Sequence, residues 1–348
     1  MRMRHLVWAA LLLAALASLQ WTLDWARRHR QSPGLVGRYL IGSVRVDEAR
    51  IILVETPIGQ VTLRHTAWGW VVDEQDGFAA DVAKMRALLL RMAQTPIGQR
   101  VPIAPEQLGD MGLLQKVENQ WRFEAGRTAS VLTLVHGEKL SHRLIYQVLI
   151  GNPRSDGNGT YVRFPESHAV YLVPDRLELD GRAEAWIEHR VFEPDAAAAV
   201  REIRVRTGTA PLVTLMRAAA GHPWQMAGAA APPAPERLQE LATALVELRI
   251  AAVSARGQAG RGAPAAASVE VRFFDGRSIT LGFLPAPGGR TAGRQAVLAA
   301  RLPAEQGDRA LRRRVEAFNR HFATRTVTLS AAQAATLLRG REAYRAAP

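Results

Sequence analysis

Residues 52–63 read ILVETPIGQVTL, and residues 203–215 read IRVRTGTAPLVTL. Each stretch holds two short apolar runs separated by residues that favour a tight turn, which predicts a β-hairpin. A tryptophan follows both stretches, Trp70 after the first and Trp224 after the second. Because the same features recur in the same order, the sequence predicts one structural unit that occurs twice.

An amphipathic helix is predicted downstream of each tryptophan. Apolar side chains recur there at helical spacing, first over residues 78–92 and again over residues 238–248. The first stripe comprises Phe78, Val82, Met85, Leu89 and Met92, and the second comprises Leu238, Leu241, Leu245 and Leu248. Each stripe covers one face of its helix, as in a helix packed on a core.

A second hairpin is predicted after each helix. Apolar runs at residues 131–135 and 144–150 flank one glycine, and runs at 269–274 and 279–283 flank another. Tight turns of this kind join antiparallel strands. We therefore predict an α+β fold of two tandem duplicated units, each a mainly antiparallel sheet with packed helices, preceded by one N-terminal transmembrane helix.

The repeat sets the expected domain organisation. Residues 1–30 form an N-terminal membrane anchor, residues 45–197 the first α+β unit, and residues 198–348 the second. An Ala-rich and Pro-rich stretch at residues 227–235 has the composition of a linker. In the register of the repeat, however, it falls within the second unit, so we interpret it as a loop.

Two further predictions concern the ends of the units. An apolar seam over residues 311–322 predicts a helix, and Ser330 begins a capping box that predicts a short terminal helix. The residues around His189 resemble those around His321. We therefore expect the two histidines to occupy equivalent positions and to share a structural role.

The composition excludes several classes of protein. The 348 residues include no cysteine, which rules out disulfide scaffolds, cysteine-ligated metals and thiol nucleophiles. With 48% hydrophobic and 22% charged residues, the chain is neither disordered nor entirely membrane-embedded. The formal net charge of +13 lies almost entirely in residues 201–348, so any electrostatic role belongs to that part.

Residues 6–23 form an uncharged apolar stretch. At ~1.5 Å per residue a helix of this length reaches about 27 Å, close to the ~30 Å hydrocarbon core of a bilayer. We interpret Leu6 to Leu23 as an uncleaved anchor in the lipid bilayer. A signal peptide cleaved near residues 15–17 and a buried helix of a soluble protein are the alternatives. Arginines flank both ends of the stretch, so the positive-inside rule leaves its orientation open.

Several short motifs resemble those of a known bacterial family. They are Trp70 followed by Ala80-Asp81, Gly159-Thr160-Tyr161-Val162-Arg163, Val170-Tyr171-Leu172-Val173, and Ala185-Trp186 with Arg190. Together they resemble the family of domains of unknown function numbered 4340, over roughly residues 45–335. The second unit departs from the pattern, because its hairpins are shorter and it lacks a clear Tyr-Val-Arg match.

The resemblance implies an N-terminal anchor and an extracytoplasmic body, and it favours a cytoplasmic N-terminus. It also implies association with ABC-type transport systems of the gliding-motility-like kind, whose permease and associated membrane subunits would be the partners. No catalytic residues are carried over by the resemblance, and neither a cofactor nor a metal is expected.

The sequence contains none of the strong catalytic motifs: no P-loop, no dinucleotide fingerprint, no nucleophile elbow and no His-Glu-x-x-His. His136 and His142 flank a predicted turn and suit either a metal or proton-relay role or an ordinary turn. Residues 155–159 read SDGNG and are interpreted as a hairpin turn, because a calcium loop needs a longer ligand spacing. The acidic cluster at residues 73–76 is interpreted as complementing a helix N-terminus.

Arg309, Arg313 and Arg320 fall on one face of the predicted C-terminal helix, opposite its apolar seam. The stripe is explained either by a solvated face or by contact with an acidic partner or anionic lipid. Nucleic acid is not expected, because the basic stretch lacks interleaved aromatic residues for base stacking.

The function expected from the sequence is a non-enzymatic accessory protein of an ABC-type transport system. It would be a single-pass protein of the bacterial inner membrane, with most of the chain extracytoplasmic, and would bind partner subunits or cargo. Two alternatives stay open: a hydrolase-like envelope enzyme with a site at the interface of the units, and a basic module that binds anionic lipid.

Overall fold

The computed structural model describes residues 34–42, 44–115, 126–165, 167, 169–192, 196–208, 210, 212–229, 233–256, 265–285, 293–303 and 309–344. The predicted anchor at residues 1–30 lies outside them. Within these ranges no helix is long and apolar enough to cross a membrane. They fold into two mainly antiparallel sheets and five α-helices, so the predicted α+β class is confirmed.

The first sheet has nine strands in the order β4-β3-β2-β1-β6-β7-β8-β9-β5. They are β1 (Ile51–Thr56), β2 (Gly59–Thr66), β3 (Gly69–Val72), β4 (Phe78–Ala79), β5 (Gln99–Val101), β6 (Ser130–His136), β7 (Arg143–Pro153), β8 (Thr160–Arg163) and β9 (Val170–Val173). The predicted hairpin at residues 52–63 is β1–β2, in which Ile52 lies opposite Leu63. The predicted second hairpin is β6–β7.

The second sheet has eight strands in the order β12-β11-β10-β14-β15-β16-β17-β13. They are β10 (Val200–Thr207), β11 (Val213–Met216), β12 (Gln225–Met226), β13 (Ala252–Ala255), β14 (Ala267–Phe273), β15 (Ser278–Phe283), β16 (Arg294–Arg301) and β17 (Arg325–Leu329). Here too the predicted hairpins form, as β10–β11 and β14–β15.

Apart from β4, which has no counterpart in the second sheet, the two sheets have the same strand order. When β10 to β12 are matched with β1 to β3, and β14 to β17 with β6 to β9, strand β13 takes the edge position of β5. The segments that lead into each sheet also correspond. The bridge between Tyr39 and Pro96 follows the first helix, and the bridge between Arg190 and Arg249 lies at the same point of the second unit.

The α-helices are α1 (Val82–Gln94), α2 (Ala196–Ala199), α3 (Pro235–Val246), α4 (Arg309–Phe322) and α5 (Ala331–Leu337). Helix α1 begins after Asp81, whose carboxylate accepts a hydrogen bond from the Lys84 amide at 2.9 Å. Phe78 therefore lies in β4 and not in the helix, contrary to the prediction. The predicted capping box at Ser330 is confirmed, since its hydroxyl accepts the Gln333 amide.

The acidic cluster at residues 73–76 does not lie at the N-terminus of the amphipathic helix α1, because β4 separates the two. The two Glu74 carboxylate oxygens accept the Thr62 amide, at 2.8 and 3.0 Å. Asp73 accepts from the Arg64 guanidinium, with a 3.0 Å distance from Nε to Oδ2. The carboxylates thus fasten the short helical turn after β3 to strand β2, and the dipole interpretation was wrong.

The two sheets share one contiguous hydrophobic core. The segment between β9 and β10, which we call the connecting segment, is hydrogen-bonded to both units. The Asp81 amide donates to the Trp186 carbonyl at 2.7 Å, and the Ile250 amide donates to the His189 carbonyl at 2.8 Å. His189 therefore lies in the connecting segment, whereas His321 lies in the last turn of α4, between β16 and β17. The predicted equivalence of the two histidines was wrong, because similar local sequence does not fix topological position.

Candidate functional site

Helix α4 lies beside β16 where that strand has a free edge. Strand β17 pairs only with residues 294–296 of β16. Beyond that point the Asn319 side chain completes the edge, because it accepts from the Ala300 amide and donates to the Ala300 carbonyl, each at 2.8 Å. The amide side chain thus replaces a strand partner and fixes α4 against the sheet.

An apolar pocket of about 260 Å³ opens between α4, the second sheet and the connecting segment. We call it the α4 pocket. Its lining residues are Val191, Phe192, Ala196, Phe273, Arg277, Ile279, Ala300, Arg314, Val315, Ala317 and Phe318. Within this lining only the two arginines are polar, so the pocket combines apolar walls with positive charge.

The two arginines of the α4 pocket differ in their surroundings. The Arg277 guanidinium lies 4.3 Å from the centre of the Phe273 ring, and its Nε lies 3.0 Å from the Asp275 carboxylate. Arg314 is exposed on α4, and no carboxylate of the described residues pairs with it. One cation is therefore held in place by a ring and a carboxylate, while the other is available to an anion.

Arg309, Arg313 and Arg320, the predicted contacts of an anionic partner, are all exposed on α4. Arg320 has a second role, because its guanidinium lies 3.7 Å from the centre of the Trp68 ring in the turn between β2 and β3. This cation–π contact joins the two units. The stripe therefore forms as a surface feature, and one of its three members stacks on an aromatic ring of the first unit.

The end of α4 adds further contacts between the units. The Phe78 ring lies 5.6 Å from the Phe322 ring and 6.2 Å from the His321 ring, measured between centroids. The Arg325 guanidinium donates to the Asp76 carbonyl and, at 2.6 Å, to the His321 carbonyl. Burial, with help from Arg325 and Arg320, lowers the pKa of His321 below its ordinary 6.5.

A larger open groove of about 1230 Å³ runs along α3. We call it the α3 groove. Its lining residues are Arg190, Glu236, Gln239, Glu240, Thr243, Ala244, Glu247, Arg249, Gln333, Thr336 and Arg339. Glu236 and Glu247 are eleven positions apart, so the lined part of α3 is about 16 Å long at ~1.5 Å per residue.

Charges in the α3 groove are only partly paired. Glu240 accepts from Arg339 and Arg237, and hydrogen bonding to Arg339, against some opposing desolvation, lowers the pKa of Glu240. Arg190 and Arg249 face each other across an isolated β-bridge, yet neither pairs with a carboxylate of the described residues. Like charges directly opposite each other on paired strands are unfavourable, so this end of the groove favours an anionic group.

Two of the remaining sequence candidates, His136 and the turn at residues 155–159, have structural partners. The His136 ring nitrogen Nδ1 lies 3.0 Å from the Glu48 carbonyl oxygen. Residues 155–159 form the predicted turn, closed by a 2.9 Å hydrogen bond from the Arg154 amide to the Gly159 carbonyl. In the described part of the chain, no group of three or more histidine and acidic side chains is placed to hold a metal ion.

Arg163, part of the Tyr-Val-Arg motif, is only 7% exposed. Its strand neighbours Leu149 and Val170 are both buried, and its Nε has no hydrogen-bond partner among the described residues. Burial lowers the pKa of Arg163. A buried donor without a partner is unfavourable, so the Arg163 Nε is a feature that the sequence pattern alone did not single out as unusual.

The family model described as "Domain of unknown function (DUF4340)" matches residues 70–267, which is more than half of the chain. The chain belongs to the DUF4340 family. No curated protein and no solved structure matched the chain in the other two comparisons. The DUF4340 match begins in β3 and ends at the first residue of β14, so it includes α3 but not α4.

Proposed function

We propose that this DUF4340 protein is a non-enzymatic, membrane-anchored accessory protein of an ABC-type transport system that binds partner subunits or cargo. The apolar stretch from Leu6 to Leu23 would anchor it in the bacterial inner membrane, with residues 45–348 on the extracytoplasmic side. The ABC-type permease and its associated membrane subunits are the proposed partners.

The observation that carries this proposal is the α3 groove. It is long, open and lined by charges of both signs on packed elements, and Arg190 and Arg249 lack carboxylate partners among the described residues. Mixed polar and charged surfaces of this kind suit the rim of a protein–protein contact. We place a partner or cargo segment with an acidic side chain at these two arginines.

We further propose that residues 45–197 and 198–348 are two copies of one ancestral unit. The shared strand order of the two sheets and the corresponding bridges at Tyr39 and Arg190 support this proposal. The two copies differ in their helices. Helix α4 lies between β16 and β17, whereas the described residues between the matching strands β8 and β9 (164, 165, 167 and 169) are not helical.

Co-purification tests the proposed function. The full-length chain is purified in a mild detergent, and we expect a permease and an ATPase to co-purify with it. A double variant, Arg190→Glu with Arg249→Glu, should lose these subunits. The matched control, Arg86→Glu with Arg206→Glu, changes the same charge at exposed positions outside the groove and should retain them. Recovery of the chain alone in several detergents would contradict the proposal.

A second candidate function is binding of anionic lipid through α4. The observation in its favour is the exposure of Arg309 and Arg313 on the same helix face. Binding of this kind falls as salt screens the charges. Vesicles of phosphatidylglycerol should therefore bind the protein at low salt, and neutralising both arginines should weaken the binding. Retention of vesicles at high salt would remove this candidate.

A further inference from the structure

We propose that the α4 pocket binds the aliphatic chain of an anionic amphiphile, whose charged group lies between Arg314 and Arg277 at the pocket mouth. This inference goes beyond the proposed function, since it requires neither an anchor nor a partner subunit. It gives the lipid-binding alternative a defined site. That site lies outside the stripe of Arg309 and Arg313.

The walls of the pocket favour a hydrocarbon occupant. Phe192, Phe273 and Ile279 belong to the lining, and all three are also buried members of the hydrophobic core. The pocket has a volume of about 260 Å³, and two arginines are the only polar side chains in its lining, so much of this space offers water no polar partner. Part of one aliphatic chain fits this volume, and a complete two-chain lipid does not.

A peptide is a poorer occupant for the same pocket. Its backbone amides would be buried against apolar walls without hydrogen-bond partners, which is unfavourable. The neighbouring strand edge at Ala300 cannot supply these partners, because the Asn319 side chain already occupies it. An aliphatic chain carries no such polar groups, so the pocket discriminates in its favour.

The mouth of the pocket supplies the charge preference. The exposed Arg314 has no carboxylate partner in the described residues, and the guanidinium fork suits a carboxylate or a phosphate. Arg277 is held against the Phe273 ring, so its charge stays near the apolar wall. A neutral amphiphile of the same chain length would leave Arg314 without an anion and should bind more weakly.

Photolabelling of the full-length chain tests the pocket. The protein is placed in nanodiscs of zwitterionic lipid and exposed to a fatty carboxylate that carries a diazirine. We expect saturable labelling within α4, β14 or β15. Ala317→Phe fills the pocket and should weaken labelling about tenfold, because even about two methylenes of lost burial have that effect. Ala310→Phe, on the same helix outside the lining, should not.

Competition and charge variants test the head group. Dodecanoate should compete with the probe, whereas dodecanol should compete about tenfold less well. Arg314→Gln should weaken labelling, and Arg86→Gln, an equal charge change on α1, should not. Competition by short-chain phosphatidylglycerol instead of dodecanoate would identify a phospholipid as the source of the chain. Equal labelling of the wild type and Ala317→Phe, or equal competition by acid and alcohol, would overturn the proposal.

Discussion

The hydroxyl of Tyr344 is fully buried and has no hydrogen-bond partner among the described residues. Burial also raises its pKa to about 12. An unpaired buried hydroxyl costs about 1–3 kcal/mol, whereas a phenyl ring keeps the packing. We expect Tyr344→Phe to raise the free energy of unfolding by about 1 kcal/mol in thermal melts. Tyr39→Phe, at an exposed position, is the control and should change nothing. A loss of stability in Tyr344→Phe would reveal a partner for the hydroxyl.

Gly181 lies where the connecting chain passes close to the β1–β2 hairpin. A Cβ atom there would meet the Thr56 hydroxyl at 1.9 Å and the Gly59 carbonyl at 2.7 Å. Thr56 cannot move freely, because its hydroxyl already donates to the Gly59 carbonyl. We expect Gly181→Ala to lower the free energy of unfolding by about 1–3 kcal/mol in denaturant titrations. Gly340→Ala, where a Cβ meets no atom within 4 Å, should be tolerated. Equal stability of the two variants would show that the hairpin relaxes.

At the level of elements, the Asn319 side chain joins α4 to β16 by two hydrogen bonds. Replacing Asn319 by Leu removes both hydrogen bonds to Ala300 and leaves a strand edge unpaired. We expect a loss of about 2 kcal/mol and faster hydrogen exchange at the Ala300 amide, measured by mass spectrometry. Arg313→Gln, on the exposed face of α4, is the control. Unchanged exchange at Ala300 in Asn319→Leu would mean that apolar packing alone holds the helix.

The sequence predicts elements well where their signal is periodic. The seam at residues 311–322 and the four hairpins follow from spacing alone, and all of them form. Phe78 was misassigned to a helix because its spacing matches the stripe of α1, and only the Asp81 cap reveals where the helix begins. Neither the α4 pocket nor the Arg190–Arg249 bridge has a local sequence signal. Both arise from residues brought together by the pairing of distant strands.

For the whole molecule, the contact between the two units is predicted to be sensitive to pH. The pKa of His321 is lowered in the folded protein. As the pH falls below 6.5, this histidine therefore becomes protonated in the unfolded chain before it does so in the folded protein. Protons bound only by the unfolded state shift the equilibrium towards it. The neutral imidazole therefore makes its full contribution to the free energy of unfolding above pH 6.5. This contribution is lost as the pH falls towards the lower pKa that His321 has in the folded protein. The imidazole is surrounded by Arg320, Arg325 and the Phe78 ring. None of the three stabilises the imidazolium cation enough to make the protein more stable at low pH.

Thermal melts of the full-length chain between pH 7.5 and about 5.5 test this sign while most carboxylates stay ionised. We expect the wild type to lose stability over that range and His321→Phe to lose less, because phenylalanine cannot titrate but can still pack against Phe78. Trp68 reports on the same contact, since Arg320 stacks on its ring only while the units are joined. The fluorescence difference between the wild type and Trp68→Phe, which isolates this ring among the eight tryptophans, should therefore change over the same pH range. Identical pH profiles of the wild type and His321→Phe would show that another group causes the pH dependence and that His321 in α4 has no part in it.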